Sequence, residues 1–186
     1  MKNPFLIGKT IYLRAPEAGD EEIYAASENH PDPRRTLYYA LPTSLQQQRD
    51  KIQRAVQDPN TIIFTVCRQV DDIPIGTTSL VRIDWIGRMA IFYLAIAGKD
   101  NWSQGYGSEI TRLMIDYSFS TLNLNRIQLH VSIKNEAAIK VYRKCGFIIE
   151  GTLRQAMFFD NRYLDFYVMG ILKEDWKGTG DPESAG

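Results

Sequence analysis

The architecture is clearest in one segment, Asn135-Glu-Ala-Ala-Ile-Lys-Val-Tyr-Arg-Lys-Cys-Gly-Phe147. Residues 136 to 144 favour a helix, and the preceding segment, Arg126-Ile-Gln-Leu-His-Val-Ser-Ile133, alternates apolar and polar residues with the period of a strand. Before that strand, residues 107 to 120 place apolar side chains at helical spacing. Strand and helix therefore alternate in the second half of the chain.

The first half of the chain is predicted to be mainly strands in hairpins. Strands are expected at residues 10–14, 61–68, 73–83 and 88–96, with a hairpin turn at Val70-Asp-Asp72. Helices are expected at residues 20–28 and, capped by Ser44, at 46–57, whereas Pro31-Asp-Pro-Arg-Arg35 is expected to be a loop. Two last strands, 147–153 and 163–172, are joined through a turn at Asp160-Asn161. The pattern is typical of a mixed α/β or α+β sheet.

The bulk composition indicates one globular domain. The 186 residues are 44% hydrophobic and 24% charged, so we expect a single domain over residues 1–176 and a disordered tail over 177–186. Lys plus Arg and Asp plus Glu are balanced at 22 each, which predicts binding neither to nucleic acid nor to a membrane. No segment resembles a secretory signal or a membrane span, so a cytoplasmic location is expected. Cys67 and Cys145 lack metal-ligand spacing and are expected to be reduced core residues, and we expect no metal.

A loop with two glycines precedes the helix that begins near residue 107. Gln104-Gly-Tyr-Gly-Ser108 lies between a strand and a helix, where free backbone N–H groups and the helix dipole favour an anion. Gly105 and Gly107 leave room for a pyrophosphate, and Ser103, Gln104 and Ser108 could add donors. From the local sequence alone, a tight turn without a ligand is the alternative. The segment is neither a P-loop nor a full dinucleotide fingerprint, because no G-K-[ST] follows and no third glycine follows Gly107 at the spacing of G-x-G-x-x-G.

Taken together, the two segments resemble a known family. Residues 96–109 are similar to the acetyl-CoA pyrophosphate loop of GNAT acetyltransferases, and Asn135-x-x-Ala138 through Tyr142-x-x-x-Gly-Phe147 is similar to their second cofactor motif. Trp102 stands where many members carry Gln or Arg, and Trp-x-x-Gly-Tyr-Gly resembles the branch of ribosomal-protein and spermidine N-acetyltransferases. The resemblance implies a central, twisted, mostly antiparallel sheet of about seven strands with a splayed central parallel pair, and about four helices.

The same resemblance implies where acetyl-CoA, the co-substrate, would bind. Its pyrophosphate would meet the backbone of residues 104–108, and its pantetheine arm would lie along residues 94–96, held in part by Asn135. The residues expected to bind acetyl-CoA are Leu94, Ala95, Ile96, Trp102, Ser103, Gln104, Gly105, Tyr106, Gly107, Ser108 and Asn135.

Tyr142 is expected to be the catalytic acid. In the direct transfer that the resemblance implies, a neutral amine attacks the thioester, and the departing CoA thiolate needs a proton. A phenol, with an ordinary pKa near 10, can supply that proton and remain protonated beforehand. From position alone, the alternative is a tyrosine packed in the core.

No catalytic base is assigned. Many members of the family carry a glutamate on the strand before the glycine loop, but the matching position here is Ile91. His130 lies on the polar side of its strand, where a structural role is the simpler interpretation. Water is another route for the proton. Further candidates by residue type, each with a solvated or capping role as the alternative, are Glu28, His30, Asp84 and Glu109.

The acceptor amine and the activity itself have alternatives at this stage. The acceptor is open among a protein N-terminal amine, a polyamine and another small amine. Because the strand glutamate is missing, a noncatalytic acetyl-CoA-binding or sensor domain is the alternative to an enzyme.

Large side chains in Met157-Phe-Phe159 and Phe166-Tyr-Val-Met169 lead us to expect a homodimer. One acidic group could line a polyamine site or simply begin a solvated helix: Glu17, Asp20, Glu21, Glu22 and Glu28.

Overall fold

The computed structural model describes residues 1–37 and 39–178. Its strands form one eight-stranded sheet in the order β1-β2-β3-β4-β5-β6-β8-β7. The strands are β1 (Leu6–Ile7), β2 (Ile11–Arg14), β3 (Ile62–Arg68), β4 (Pro74–Asp84), β5 (Met89–Ile96), β6 (Arg126–Ser132), β7 (Ile148–Phe159) and β8 (Arg162–Leu172). The helices are α1 (Glu21–Asn29), α2 (Pro31–Leu37), α3 (Leu45–Gln57), α4 (Tyr106–Asp116) and α5 (Glu136–Lys144). The predicted mixed α/β fold is confirmed; the eighth strand is the two-residue β1. The predicted tail lies outside the described residues from 179 onward.

One parallel pair interrupts the antiparallel sheet. β5 and β6 are parallel, and their pairing extends only from Met89–Ile91 to Arg126–Gln128. Beyond Ile91, β5 continues to pair with β4, and β6 continues to pair with β8. The sheet therefore opens between β5 and β6, which confirms the predicted splayed parallel pair and leaves one edge of β5 without a strand partner among the described residues.

Helix α2 corrects the loop predicted at Pro31–Arg35. Pro31 and Pro33 were interpreted as chain breakers, but both lie in the first turn of the helix. First-turn residues have no intrahelical acceptor for their N–H groups, so the missing N–H of proline costs nothing there. The Arg34 N–H already donates to the His30 carbonyl at 3.1 Å.

Helix α4 covers the opening from one face of the sheet. Its buried residues include Ile110, Met114 and Ile115, which belong to the same core cluster as Phe92 of β5 and Leu129 of β6. The predicted amphipathic helix is confirmed, and its chain continues into a π-helical turn, Tyr117–Thr121. Burial of this apolar face holds the beginning of α4 at the mouth of the opening.

Helix α3 begins with the predicted Ser44 cap. The Ser44 hydroxyl accepts a hydrogen bond from the Gln47 N–H at 3.1 Å, and the Gln47 side chain accepts one from the Ser44 N–H at 2.8 Å. This reciprocal arrangement satisfies two otherwise unpaired donors and is typically worth about 1 kcal/mol.

Candidate active site

A cavity of about 600 Å³ lies where β5 and β6 separate. The residues expected to bind acetyl-CoA line this cavity, with the exception of Gln104, and the expected acid Tyr142 lines it as well. Residues as far apart in the chain as Leu94 and Tyr142, which are separated by 48 positions, therefore line the same cavity. The fold brings the two sequence motifs together.

The start of α4 presents free amides to the cavity. Gly105 is the N-terminal cap and has a φ of 86°, in the left-handed region that glycine adopts without strain. Among the described residues, no acceptor pairs with the N–H groups of Gly105, Tyr106 and Gly107. The Ser108 N–H instead donates to the Gly105 carbonyl at 3.1 Å. The free amides and the positive end of the helix dipole fit a phosphate or pyrophosphate.

The glycine at position 107 leaves space on the cavity side. A methyl group added at Gly107 would lie 3.8 Å from Ile96 and 3.9 Å from Val141, both of which line the cavity. These are ordinary van der Waals distances. The fold itself therefore tolerates a side chain at this position, and its absence keeps open the space that a bound anion would use.

Two polar side chains shape the slot beside β5. The Trp102 indole N–H donates to the Ile96 carbonyl at 2.9 Å and so ties the glycine loop to the end of the strand. The Asn135 side-chain oxygen accepts the Ala138 N–H at 3.1 Å and caps α5. The Asn135 amide nitrogen has no partner among the described residues and can donate to a ligand in the slot.

The Tyr142 ring lies in an aromatic environment at the cavity wall. It packs edge-on against Phe92 and Phe147, with ring centroids 6.2 and 5.8 Å away. The side chain is buried, and no described group hydrogen-bonds to its hydroxyl. Burial, assisted by the charge of the Cys145 thiolate, raises the pKa of Tyr142 above its ordinary value of 10.0. The phenol therefore remains protonated across the neutral range.

Among the described residues, no carboxylate lines the cavity in place of the missing strand glutamate. Ile91 is buried, at the end of the parallel pairing with Gln128. Two residues further along β6, on the same face of the sheet, His130 lines the cavity. Arg126 donates to the Gln128 side-chain oxygen at 3.1 Å, so the amide nitrogen of Gln128 points to His130 Nε2, 3.0 Å away. His130 Nε2 then accepts this hydrogen bond, which places the proton of a neutral His130 on Nδ1 and engages the Nε2 lone pair with Gln128.

The other candidate bases lie away from the cavity wall and are engaged elsewhere. Glu109 accepts hydrogen bonds from the backbone N–H and the hydroxyl of Thr10 at 2.9 and 2.6 Å, and Asp84 accepts the Gly87 N–H at 2.8 Å. Glu28 pairs with Lys51 at 2.6 Å. His30 Nδ1 accepts the Asp32 N–H at 3.3 Å. Their capping and surface roles are the ones that the structure supports.

Part of the cavity wall was not anticipated from the sequence. It comes from helix α2, which was expected to be a loop, from the terminal hairpin and from Tyr93 of β5. The local sequence around each of these residues does not show that it lines the same cavity as residues far along the chain. The unanticipated residues of this wall are Pro33, Leu37, Tyr93, Leu153, Ala156, Met157 and Phe166.

Comparison with protein families shows the family to which the chain belongs. A family model described as an acetyltransferase (GNAT) domain matches residues 10–148. The chain belongs to the GNAT acetyltransferase family. The GNAT match includes the glycine loop, the Tyr142 helix and all of the cavity lining except Leu153, Ala156, Met157 and Phe166.

Two relatives by sequence place this GNAT enzyme more closely. The chain is 37% identical over 102 residues to spermidine N(1)-acetyltransferase of Vibrio cholerae, which is 55% of this chain and 58% of that relative. It is 29% identical over 178 residues to the uncharacterized N-acetyltransferase p20 of Bacillus licheniformis, which is 93% of this chain and 98% of the relative.

Solved structures give the same assignment. The crystal structure of spermidine N-acetyltransferase from Vibrio cholerae in complex with CoA and spermine has a TM-score of 0.83 and 29% identity, covering 89% of this chain and 97% of that one. A dodecameric structure of the Vibrio enzyme in an intermediate state has a TM-score of 0.77, with 27% identity and coverage of 92% and 99%. This chain is an N-acetyltransferase of amines that uses acetyl-CoA as co-substrate, and a noncatalytic sensor domain is not favoured.

Proposed function

We propose that this GNAT enzyme transfers the acetyl group directly from acetyl-CoA to a primary amine within a ternary complex. The observation that carries this proposal is a single cavity with free amides at one end and an apolar wall at the other. The cavity lining among the described residues includes no cysteine, and both Cys67 and Cys145 are buried. A covalent cysteine intermediate is therefore not part of the proposal.

The residues at the amide end would hold the co-substrate. Amides of residues 105–107 would bind its pyrophosphate, the free edge of β5 at Leu94–Ile96 would bind its extended amide-bearing arm, and Asn135 would donate to the same arm. Bound in this way, acetyl-CoA supplies an activated acetyl thioester. Gln104 does not line the cavity, so its proposed contact with the co-substrate has the least structural support in this set.

Tyr142 would act as the general acid. In the transfer, a bond forms between the amine nitrogen and the acetyl carbon, the bond between that carbon and sulfur breaks, and the Tyr142 hydroxyl proton passes to the sulfur. The amine loses its own proton to water, since no described group in the cavity is placed as a base. The raised pKa of Tyr142 keeps the acid in its protonated form before the reaction.

The acceptor class has two candidates. The relatives named as spermidine N-acetyltransferases favour a polyamine. The cavity itself favours an amine with one positive charge, because none of its described lining residues is acidic. A panel of spermidine, short peptides and monoamines, assayed for CoA release and acetylated product, tests the activity. Binding of acetyl-CoA without CoA release with any amine would instead indicate a noncatalytic domain.

Assembly and location belong to the same proposal. We expect a homodimer in which the β7–β8 hairpin takes part, because Phe158 and Tyr163 at its tip are 59% and 61% exposed. Met169, which was expected on this surface, is instead fully buried in the core.

A cytoplasmic location is proposed on the unpaired state of both cysteines. None of the helices within residues 1–37 and 39–178 has the length and apolar character needed to cross a membrane.

A further inference from the structure

The side of the cavity opposite the amide end has an apolar lining. We call it the acceptor wall and define it by Leu37 of α2, Tyr93 of β5, His130 of β6, Leu153 and Met157 of β7, and Phe166 of β8. When the residues proposed to hold acetyl-CoA are set aside, the rest of the described lining also includes the polar side chains of Asn101 and Ser132, but no acidic one. An acceptor that reaches the thioester must therefore place its body against alkyl, thioether and aromatic groups.

Acidic side chains around the acceptor wall already have partners. Asp32, next to the cavity-lining Pro33, pairs with Lys99 at 2.9 Å. Glu28 is close enough to Tyr39 to contribute to the raised pKa of that phenol, but Glu28 itself pairs with Lys51 at 2.6 Å. On the hairpin, an Asp165 carboxylate oxygen accepts the Gln155 N–H at 2.7 Å.

The acidic group at the start of α1 is engaged in the same way. Asp20 is buried against Arg14, and Glu21 pairs with Arg49 at 2.7 Å. Neither these residues nor Glu17 and Glu22 line the cavity. The polyamine site that the sequence allowed at this helix is therefore not formed by the described residues of the cavity.

A wall of this kind selects among amines by charge. A second ammonium group on the acceptor would lose its hydration against the wall without gaining a carboxylate partner, which is unfavourable. An alkyl or aromatic body would gain from removal of its apolar surface from water. The reacting amine is exempt from this penalty, since it must lose its proton before it attacks.

We infer that the acceptor is a small primary amine that carries one positive charge and an alkyl or aromatic body, in preference to a polyamine. This inference rests on the proposed acetyl transfer and names its substrate class. The inferred acceptor class separates this chain from its relatives named for spermidine, although the fold is shared.

Matched amines test the inference directly. 1-Aminohexane and 1,5-diaminopentane have the same chain length and differ only in a terminal methyl or ammonium group. We expect kcat/KM to be at least about tenfold higher for 1-aminohexane, and spermidine to be no better than the diamine. Equal or higher kcat/KM for the diamine or for spermidine would overturn the inference while leaving acetyl transfer intact. CoA release with none of the amines would overturn acetyl transfer itself, and the inference with it.

A carboxylate placed on the acceptor wall gives a second test. Leu153 is 43% exposed, so Leu153→Glu and its neutral control Leu153→Gln should both fold. We expect Leu153→Glu to shift the ratio of kcat/KM values toward 1,5-diaminopentane by about tenfold, and Leu153→Gln to shift it far less. Equal shifts in both variants, or none in either, would show that the body of the acceptor does not lie against this wall.

Discussion

At the scale of single residues, the proposed chemistry depends on one hydroxyl, that of Tyr142. Tyr142→Phe removes the proposed proton donor and keeps the ring that packs against Phe92 and Phe147. We expect kcat to fall by about 10² to 10⁴-fold with little change in either KM, because the hydroxyl acts on charge that develops as the thiolate leaves. Steady-state kinetics of folded protein would measure this loss.

The control for that substitution is Tyr117→Phe, which removes a buried hydroxyl outside the cavity lining. It should leave kcat close to the parent value.

Since the pKa of Tyr142 is raised, its proton is present below about pH 10, so Tyr142 should cause no alkaline loss of kcat below that pH. A Tyr142→Phe enzyme that turns over at the parent rate across pH would place the donor elsewhere.

Gly107 gives a second prediction at the residue scale. In Gly107→Ala the added methyl group meets Ile96 and Val141 at ordinary distances but enters the space proposed for the pyrophosphate. We expect CoA affinity, measured by calorimetry, to fall by at least about tenfold, or about 1.4 kcal/mol. The free energy of unfolding should stay level or rise by up to about 1 kcal/mol, because alanine is the better helix former.

The control is Gly151→Ala in β7, where an added methyl group has no neighbour within 4 Å. This variant should bind CoA as the parent does. Unchanged CoA affinity in a folded Gly107→Ala protein would contradict the assignment of the α4 start as the anion site. Gly105 is a poorer position for this test, because its φ of 86° would add backbone strain to any substitution.

At the scale of secondary structure elements, a buried ion pair joins β2, α1 and β3. Arg14 donates to both carboxylate oxygens of Asp20, at 2.6 and 2.8 Å, and the Thr65 hydroxyl donates to the same carboxylate at 2.7 Å. Both charged side chains are less than a tenth exposed. This network fixes the start of α1 against the sheet. It also engages the buried Asp20 carboxylate in hydrogen bonds.

Asp20→Asn should destabilise the fold strongly. The substitution leaves the buried Arg14 charge without its counterion, a change that typically costs about 3 to 5 kcal/mol. Urea unfolding at neutral pH would measure it. Glu22→Gln on the same helix turn is the control, because Glu22 is exposed, and it should change stability by less than about 0.5 kcal/mol. A loss for Asp20→Asn no larger than the control's would show that the pair contributes little.

The pH dependence of this element has a defined sign. Burial acts to raise the pKa of Asp20, but the hydrogen bonds from Arg14, the Glu17 amide and Thr65 outweigh it and lower that pKa below 3.8. A carboxyl whose folded pKa is depressed contributes stability that is present above its unfolded pKa and is lost as pH falls through the folded pKa. The difference between the parent and Asp20→Asn should therefore shrink below about pH 4.

At the scale of the whole molecule, the exposed tip of the terminal hairpin bears on assembly. The rings of Phe158 and Tyr163 meet edge to face with centroids 5.1 Å apart, and both side chains lie largely in solvent in the single chain. We expect sedimentation at micromolar concentration to show a dimer for the parent and a shift toward monomer for Phe158→Ser. Ile86→Ser, at a 96% exposed apolar residue on the β4–β5 turn, should leave the dimer intact. A parent that sediments only as a monomer would refute the dimer.

The sequence alone was sufficient for most of the regular structure, and it indicated the residues proposed to hold the co-substrate. Periodicity indicated β6, α4 and α5, and the glycine loop and the Tyr142 segment indicated an acetyl-CoA site, because these signals depend on residues close together in the chain. Ser44 was recognisable as a cap for the same reason.

Only the tertiary structure decided the rest. β7 continues to Phe159, past the predicted end at residue 153, because two register shifts let it follow β8 without strict alternation. The pairing of Arg14 with Asp20, the role of α2 and the apolar character of the acceptor wall all result from contacts between elements distant in the sequence. Local patterns show which face of an element is apolar. They do not show which other element packs against that face, and in this protein that packing sets the charge of the site where the amine would bind.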